Sequence, residues 1–217
     1  MSRELKYDIP GDDWRLALEA AAEQVRQRGW PALFAPGLAS PKRLVVDIGF
    51  GRGEFLLQLA RSEPESGFLG IERSFKRVLK MARRLARSEI RNVRLIESAA
   101  ESVMTELLPP ESVACCWINF PDPWPKKRHH RRRLIAPAFV RDLASRLEPH
   151  CVLHVATDHV EYAEVIDEIL AAEPRLENAY APTRYRTEVP GRSPTAYETE
   201  WRAQGRALHF FCYHRAR

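Results

Sequence analysis

Short apolar runs alternate with stretches of helical spacing along most of the chain. RLVVDIGF (43–50) is an apolar run ending in turn residues, and GEFLLQLARS (53–62) repeats its apolar positions at helical intervals. GFLGIE (67–72) is a second run and FKRVLKMARRLARS (75–88) a second helix. The rhythm continues through NVRLIESA (92–99), ESVMTELL (101–108), SVACCWINF (112–120), a helix from about Ile135 to Leu147, the strand CVLHVATD (151–158) and a helix over EYAEVIDEILAAE (161–173). Strand alternating with helix is the pattern of parallel βα units. The expected fold is therefore α/β, a Rossmann-like, doubly wound, mostly parallel sheet. Ahead of it, Trp14 to Arg28 reads as an amphipathic helix and WPALFAPGLASP (30–41) as a loop. Residues 1–40 are thus expected to form a partly helical, mobile N-terminal extension to a main domain over 41–217. After Ala179 the chain turns rich in Pro, Arg, Thr and Tyr, and it closes on the strand-like ALHFFCYH (207–214).

In doubly wound sheets ligands bind beyond the carboxyl ends of the strands. Asp47 with Gly49, Glu72, the segment at Ala99, Asn119 with Asp122, and Asp158 all stand at the ends of predicted strands. They are expected on one rim.

Composition narrows the class without naming it. With 217 residues, 45% of them hydrophobic and 29% charged, the chain has the make-up of a globular domain and not of a disordered or fibrous protein. No apolar run approaches the roughly 20 residues of a membrane span. The opening MSRELKYDIPGDDW has no apolar core of a signal peptide, so a cytoplasmic location is expected. Cys115 and Cys116 are adjacent, while Cys151 and Cys212 stand alone in apolar runs, which suits reduced core residues better than a disulfide framework. His150 and His154 have no carboxylate or thiol grouping around them, and no metal site is expected. The net charge of +5 favours a polyanionic partner, and much of it gathers in Lys126 to Arg133, eight consecutive Lys, Arg or His side chains. The basic residues of the helix over 75–88 read as an ordinary exposed face opposite Val78, Leu79, Met81, Ala82 and Leu85.

Gly49, Gly51 and Gly53 lie between the first strand and its helix, where they permit a tight turn and close approach of a ligand to the backbone. The dinucleotide fingerprint is G-x-G-x-x-G, with a pyrophosphate on the helix N-terminus. Here the spacing is G-x-G-x-G, and Asp47 two residues earlier would repel a phosphate but suit a cation. S-adenosylmethionine carries an ammonium and a sulfonium. Glu72, about twenty residues on, stands where a carboxylate accepts ribose hydroxyls. The pair fits adenosylmethionine better than a nicotinamide cofactor, with a purely structural glycine turn as the third reading.

With DIGFGRG, GIE, FPDPWPKKRHHRRR, ATD (156–158) and TAYE (195–198), the chain resembles the bacterial tRNA (guanine-N7-)-methyltransferases over most of its length. The resemblance implies a class I methyltransferase domain over 41–217 with a seven-stranded sheet whose last strands are an antiparallel addition. It implies S-adenosylmethionine as cofactor, held by Asp47, Gly49, Gly51, Glu72, Ala99 and Asp122, and tRNA as substrate, met by Lys126, Asp158, Thr195 and Glu198. Asp122 is implied as the catalytic residue, placed where cofactor and guanine meet. Ala99 departs from the Asp or Asn often found near the adenine, leaving a backbone contact there. Read without the resemblance, Thr195 and Glu198 form the T-x-x-E of a capping box. Trp124 fits either a stacking platform for an unpaired base or a cap on the core. No obligate protein partner is implied, and a monomer or homodimer is expected. The competing functions are methylation of another RNA or a protein, a non-catalytic RNA-binding protein on this fold, and a nicotinamide-dependent oxidoreductase.

Overall fold

A computed structural model of the protein describes residues 14–192 and 194–217, so the first 13 residues of the expected extension lie outside it. The chain divides into two compact units, one running to Leu108 and one from Pro109 onward.

In the first unit β2 (Leu44–Ile48), β3 (Gly67–Glu72) and β4 (Val93–Glu97) are parallel, joined by α2 (Glu54–Ser62) and α3 (Phe75–Ala86). All five residues of β2 and all six of β3 are buried, which is why they read as continuous apolar runs. The predicted helix from Trp14 is shorter than expected. Arg15–Leu16 form a two-residue strand β1, parallel to β4, and α1 spans Leu18–Arg28. The backbone carbonyl of Trp14 accepts from the Leu95 N–H at 2.8 Å, so the residues before α1 add an edge strand where helix was expected. The loop over 30–41 opens with a 3-10 helix, Trp30–Phe34, and Phe34 is fully buried. Arg94, itself buried on β4, donates to the Phe34 carbonyl at 2.8 Å and ties that segment to the sheet. The order is β1-β4-β3-β2. After β4 come α4 (Ala100–Ser102) and a π-helical turn, Val103–Leu107.

The second unit holds β5 (Val113–Asn119), α5 (Pro137–Arg146), β6 (Leu147–Thr157), α6 (Val160–Ala171), β7 (Leu176–Asn178), α7 (Ala196–Ala203) and β8 (His209–Arg215). Its order is β5-β6-β8-β7, with β5 and β6 parallel and β8 antiparallel to both of its neighbours. Four strands in each unit make eight among the described residues, one more than the resemblance implies, and β1 is the addition. The antiparallel strand is the last, β8. Cys115, Cys116 and Cys212 are buried and Cys151 is half-buried, each as a reduced cysteine outside any disulfide. Among the described residues no helix is long and apolar enough to cross a membrane, and no cluster of His, Cys, Asp and Glu could hold a metal ion.

His154 on β6 stacks against its cross-strand partner Trp117 at 3.9 Å between ring centroids. Burial first, then the charges of Arg192 and His214, hold its pKa down at about 4. An imidazole kept neutral in the folded chain but titrating near 6.5 when unfolded stabilises the protein fully above pH 6.5 and loses that contribution as pH falls towards 4. Urea unfolding is therefore expected to show a loss of up to about 3 kcal/mol across that window. In His154→Phe, which keeps the ring stack and removes the titration, the loss should shrink; an unchanged pH profile would assign the acid lability elsewhere.

Candidate functional site

The registers bring the predicted residues of each unit to one edge. In the first unit Ile48 pairs with Ile71 and Glu72 with Glu97, so the carboxyl ends of β2, β3 and β4 meet. Asp47 and Glu72 are both buried there. Gly49, Gly51 and Gly53 all take positive φ, 73°, 56° and 79°. A Cβ on Gly49 would meet nothing within 4 Å, which leaves its backbone open to a ligand, whereas one on Gly53 would lie 2.5 Å from the Met81 sulfur. The loop folds onto Glu72: Oε2 accepts from the Gly51 N–H at 3.2 Å and from Arg77 Nη1 at 3.3 Å, while Oε1 accepts from the Ser74 N–H at 3.0 Å. A carboxylate offers about four acceptor directions. Glu72 is thus oriented by three bonds with capacity left for a hydroxyl. Ala99, half-buried and extended, caps α4 and gives its carbonyl to the Val103 N–H at 3.3 Å.

Two buried carboxylates beside an open glycine turn suit a ligand that is cationic at one end and carries a diol. They do not suit a pyrophosphate. The residues present fit S-adenosylmethionine.

In the second unit Asn119 pairs with Ala156, so the ends of β5 and β6 share an edge. The loop that follows carries Asp122 exposed to solvent. Two non-glycine residues of this loop have left-handed φ, Phe120 at 53° and Trp124 at 43°, and each precedes a proline. Such conformations persist only where the surroundings impose them. Phe120 donates its N–H to the Ala156 carbonyl at 2.8 Å and packs on Ala156, Leu208, Phe210 and Trp201. Trp124 lies under the Arg132 guanidinium at 5.0 Å and edge-on to His129 at 5.7 Å. Of the two aromatics it is Phe120 that caps the core. Arg133, at the end of the basic run, is buried and donates to the Pro123 carbonyl at 2.8 Å while lying over the Tyr162 ring at 4.7 Å. It braces the loop, whereas Lys126, Lys127, Arg128 and Arg131 are exposed, Lys127 to Arg132 forming a 3-10 helix. Burial raises the Tyr162 phenol to about 12, and its oxygen accepts from the Ile135 N–H at 3.1 Å.

Thr195 and Glu198 are both buried. Thr195 caps α7, its Oγ1 accepting from the Glu198 N–H at 3.0 Å, so the capping reading of T-x-x-E is realised in its first half. The Glu198 carboxylate does not reach back along the helix; it accepts from Arg192 Nε at 3.3 Å and from Arg202 at 3.5 Å. Arg192 Nη2 also donates to Asn119 Oδ1 at 2.7 Å, which joins α7 to the end of β5. The amide nitrogen of Asn119 is buried and unpartnered among the described residues. Asp158 pairs with Arg206 at 2.7 Å, and Arg206 in turn lies over Trp201 at 4.6 Å. The sequence does not single out Arg192 or Tyr162 for the site, and Arg133 reads there only as the last charge of the basic run. Arg192 sits in P-G-R-S-P, where turn chemistry hides any other signal.

This is the fold of the class I S-adenosylmethionine-dependent methyltransferases. Among solved structures, the 16S rRNA methyltransferase KamB matches with a TM-score of 0.62 at 16% identity, over 86% of this chain and 94% of that one. The aminoglycoside resistance methyltransferase NpmB1 matches with a TM-score of 0.57 at 16% identity, over 90% and 93%. A family model described as "Putative methyltransferase" covers residues 41–211. A tRNA (guanine-N(7)-)-methyltransferase of Halorhodospira halophila is 39% identical over 177 residues, 82% of this chain and 76% of its own length. Its counterpart in Aromatoleum aromaticum is 45% identical over 149 residues, 67% of this chain and 57% of its own. The chain belongs to this family of tRNA (guanine-N(7)-)-methyltransferases. The matches span less than two thirds of some of these relatives, 57% of the Aromatoleum aromaticum protein and 60% of that of Burkholderia ambifaria.

Proposed function

We propose that the protein transfers a methyl group from S-adenosylmethionine to N7 of a guanine in tRNA, the position the family resemblance assigns to the variable loop. The observation that carries the reading is the braced F-P-D-P-W loop, which presents an exposed carboxylate directly before a solvated basic turn on a methyltransferase fold. With tRNA as its substrate, the enzyme works in the cytoplasm.

When bound, the cofactor supplies an electrophilic methyl on a sulfonium. Asp47 and the open backbone at Gly49 hold its cationic amino acid end, Glu72 accepts from the ribose hydroxyls, and Gly51 keeps Glu72 aimed. Ala99 offers only backbone to the adenine. Guanine N7 has an exposed lone pair and no proton, so no residue needs to act as a base at that atom. Positioning supplies most of the acceleration, roughly 7 to 11 kcal/mol where reacting groups are held in line. Asp122 accepts from the guanine N1 and N2 protons and stabilises the positive charge the purine gains. Asp158, Thr195 and Glu198 shape the substrate side, and Lys126 meets phosphate.

Incubation with methyl-labelled adenosylmethionine and unmodified tRNA, followed by borohydride and aniline scission, should cut the labelled RNA at one guanine. Label without such scission would replace this reading with methylation at another atom, and absence of label would leave a binding protein.

Converting the exposed Lys126, Lys127, Arg128 and Arg131 to Gln should weaken tRNA binding. It should also lower the slope of log affinity against log salt by about 3, at roughly 0.7 to 0.9 per phosphate contact. Arg133 belongs outside that set, because its loss would release the loop. An unchanged slope would make the turn a bystander.

A further inference from the structure

The outer face of α3 carries a row of basic side chains. Lys76, Lys80, Arg84 and Arg87 recur at intervals of four, four and three, which places them on one stripe about 16 Å long at 1.5 Å per residue. The stripe forms one wall of a groove of about 840 Å³, floored by Leu57 and Leu79, with Arg61 from the last turn of α2 among its lining. Like charges four apart on a helix oppose its formation by roughly 0.2 to 0.5 kcal/mol per pair. Here Lys76 is followed at that interval by Lys80, and Lys80 by Arg84. Within the groove Arg84 pairs with Glu54 at 3.4 Å, both about half exposed. Arg61, Lys76, Lys80 and Arg87 have no acidic partner among the described residues.

We infer that this groove is a second RNA-binding surface, which grips the phosphodiester backbone of a double-stranded limb of the tRNA, apart from the basic turn that follows Asp122. Over about 16 Å, one strand of a duplex presents about five phosphates at roughly 3.4 Å each, so the four long basic side chains, spaced about 4.5 to 6 Å along the stripe, each have a phosphate within reach. The apolar floor places those charges beside low-dielectric walls, which strengthens their field in the groove. Backbone contact of this kind carries no sequence information and fixes the orientation of the RNA on the protein.

The inference rests on tRNA as the substrate, and direct binding tests it separately from catalysis. Binding of unmodified full-length tRNA is measured over a range of KCl for the wild type, for the triple variant Lys76→Gln, Lys80→Gln, Arg87→Gln, and for its charge-preserving counterpart Lys76→Arg, Lys80→Arg, Arg87→Lys. The Gln variant should bind on the order of tenfold or more weakly at low salt, with the salt slope reduced by about 2 to 3. Its unfolding midpoint and adenosylmethionine affinity should match the wild type, and the charge-preserving variant should retain tRNA affinity and slope. Wild-type affinity and slope in the Gln variant would overturn the inference, as would an equal loss in the charge-preserving one. Failure of the wild type to methylate guanine in tRNA would instead strike the proposed function, with the comparison of slopes still standing.

Discussion

Replacing Asp122 by alanine is expected to lower methyl transfer to tRNA by about 10²- to 10³-fold, the loss typical of removing one preorganised group that meets charge developing in a transition state. tRNA affinity should stay close to that of the wild type. The exposed Lys126, Lys127, Arg128 and Arg131 that meet phosphate are untouched, and so are the anchors of the loop. Those anchors are the Phe120 N–H on the Ala156 carbonyl, Arg133 on the Pro123 carbonyl, and Trp124 beneath Arg132. None of them passes through the Asp122 side chain. The effect is thus chemical and should appear in kcat at saturating tRNA. Asp122→Asn separates two contributions of the carboxylate. The amide oxygen can still accept one guanine proton, but the negative charge is gone, so this variant should retain binding and recover little of the rate. Equal loss of affinity and rate in Asp122→Ala would make Asp122 a binding residue and not a catalytic one.

The parts of the fold legible in the sequence are those whose burial is complete. β2 and β3 are buried at every position and announce themselves as apolar runs, and α3 shows five buried residues at helical spacing. β1 and β7 escape because strands of two and three residues have no period to detect. The 3-10 helix over Trp30–Phe34 hides behind the proline at its start. At the candidate site, the residues with chemical distinctiveness were legible: the alternate glycines, Asp47, Glu72 and an acid between prolines. What stayed hidden were the residues that act on those. Arg133 reads as one more charge in a basic run, yet its guanidinium is buried against a carbonyl and an aromatic ring. Its neighbour Arg132 covers Trp124, so within three residues the same side-chain chemistry serves loop bracing, ring covering and solvent-facing charge. Only tertiary placement distinguishes these.

Arg192→Leu is expected to lower folding stability by about 3 to 5 kcal/mol, the range for removing one member of a buried ion pair. The side chains of Arg192 and Glu198 are only 7% and 4% exposed, so water does not replace the lost partner. Arg202 remains within 3.5 Å of Glu198 but is itself 40% exposed, which places the expected loss towards the lower end. Asn119 loses its 2.7 Å donor and is left with both ends of its amide unsatisfied, since its nitrogen is already unpartnered. Lysine is a poor substitute, because the guanidinium donates in two directions while lying between the rings of Trp117 at 5.1 Å and Phe210 at 5.0 Å. Adding Glu198→Gln to Arg192→Leu removes the stranded charge and should recover part of the stability, a coupling that urea unfolding of the four proteins measures directly. Strict additivity, or a loss below about 1 kcal/mol, would show that the pair is not the buried clasp its geometry describes. The same substitution also removes one of the positive charges that hold down the His154 pKa. His154 then titrates closer to its ordinary value. The acid-induced loss of stability should therefore narrow from the low-pH side, with burial against Trp117 retaining the larger share.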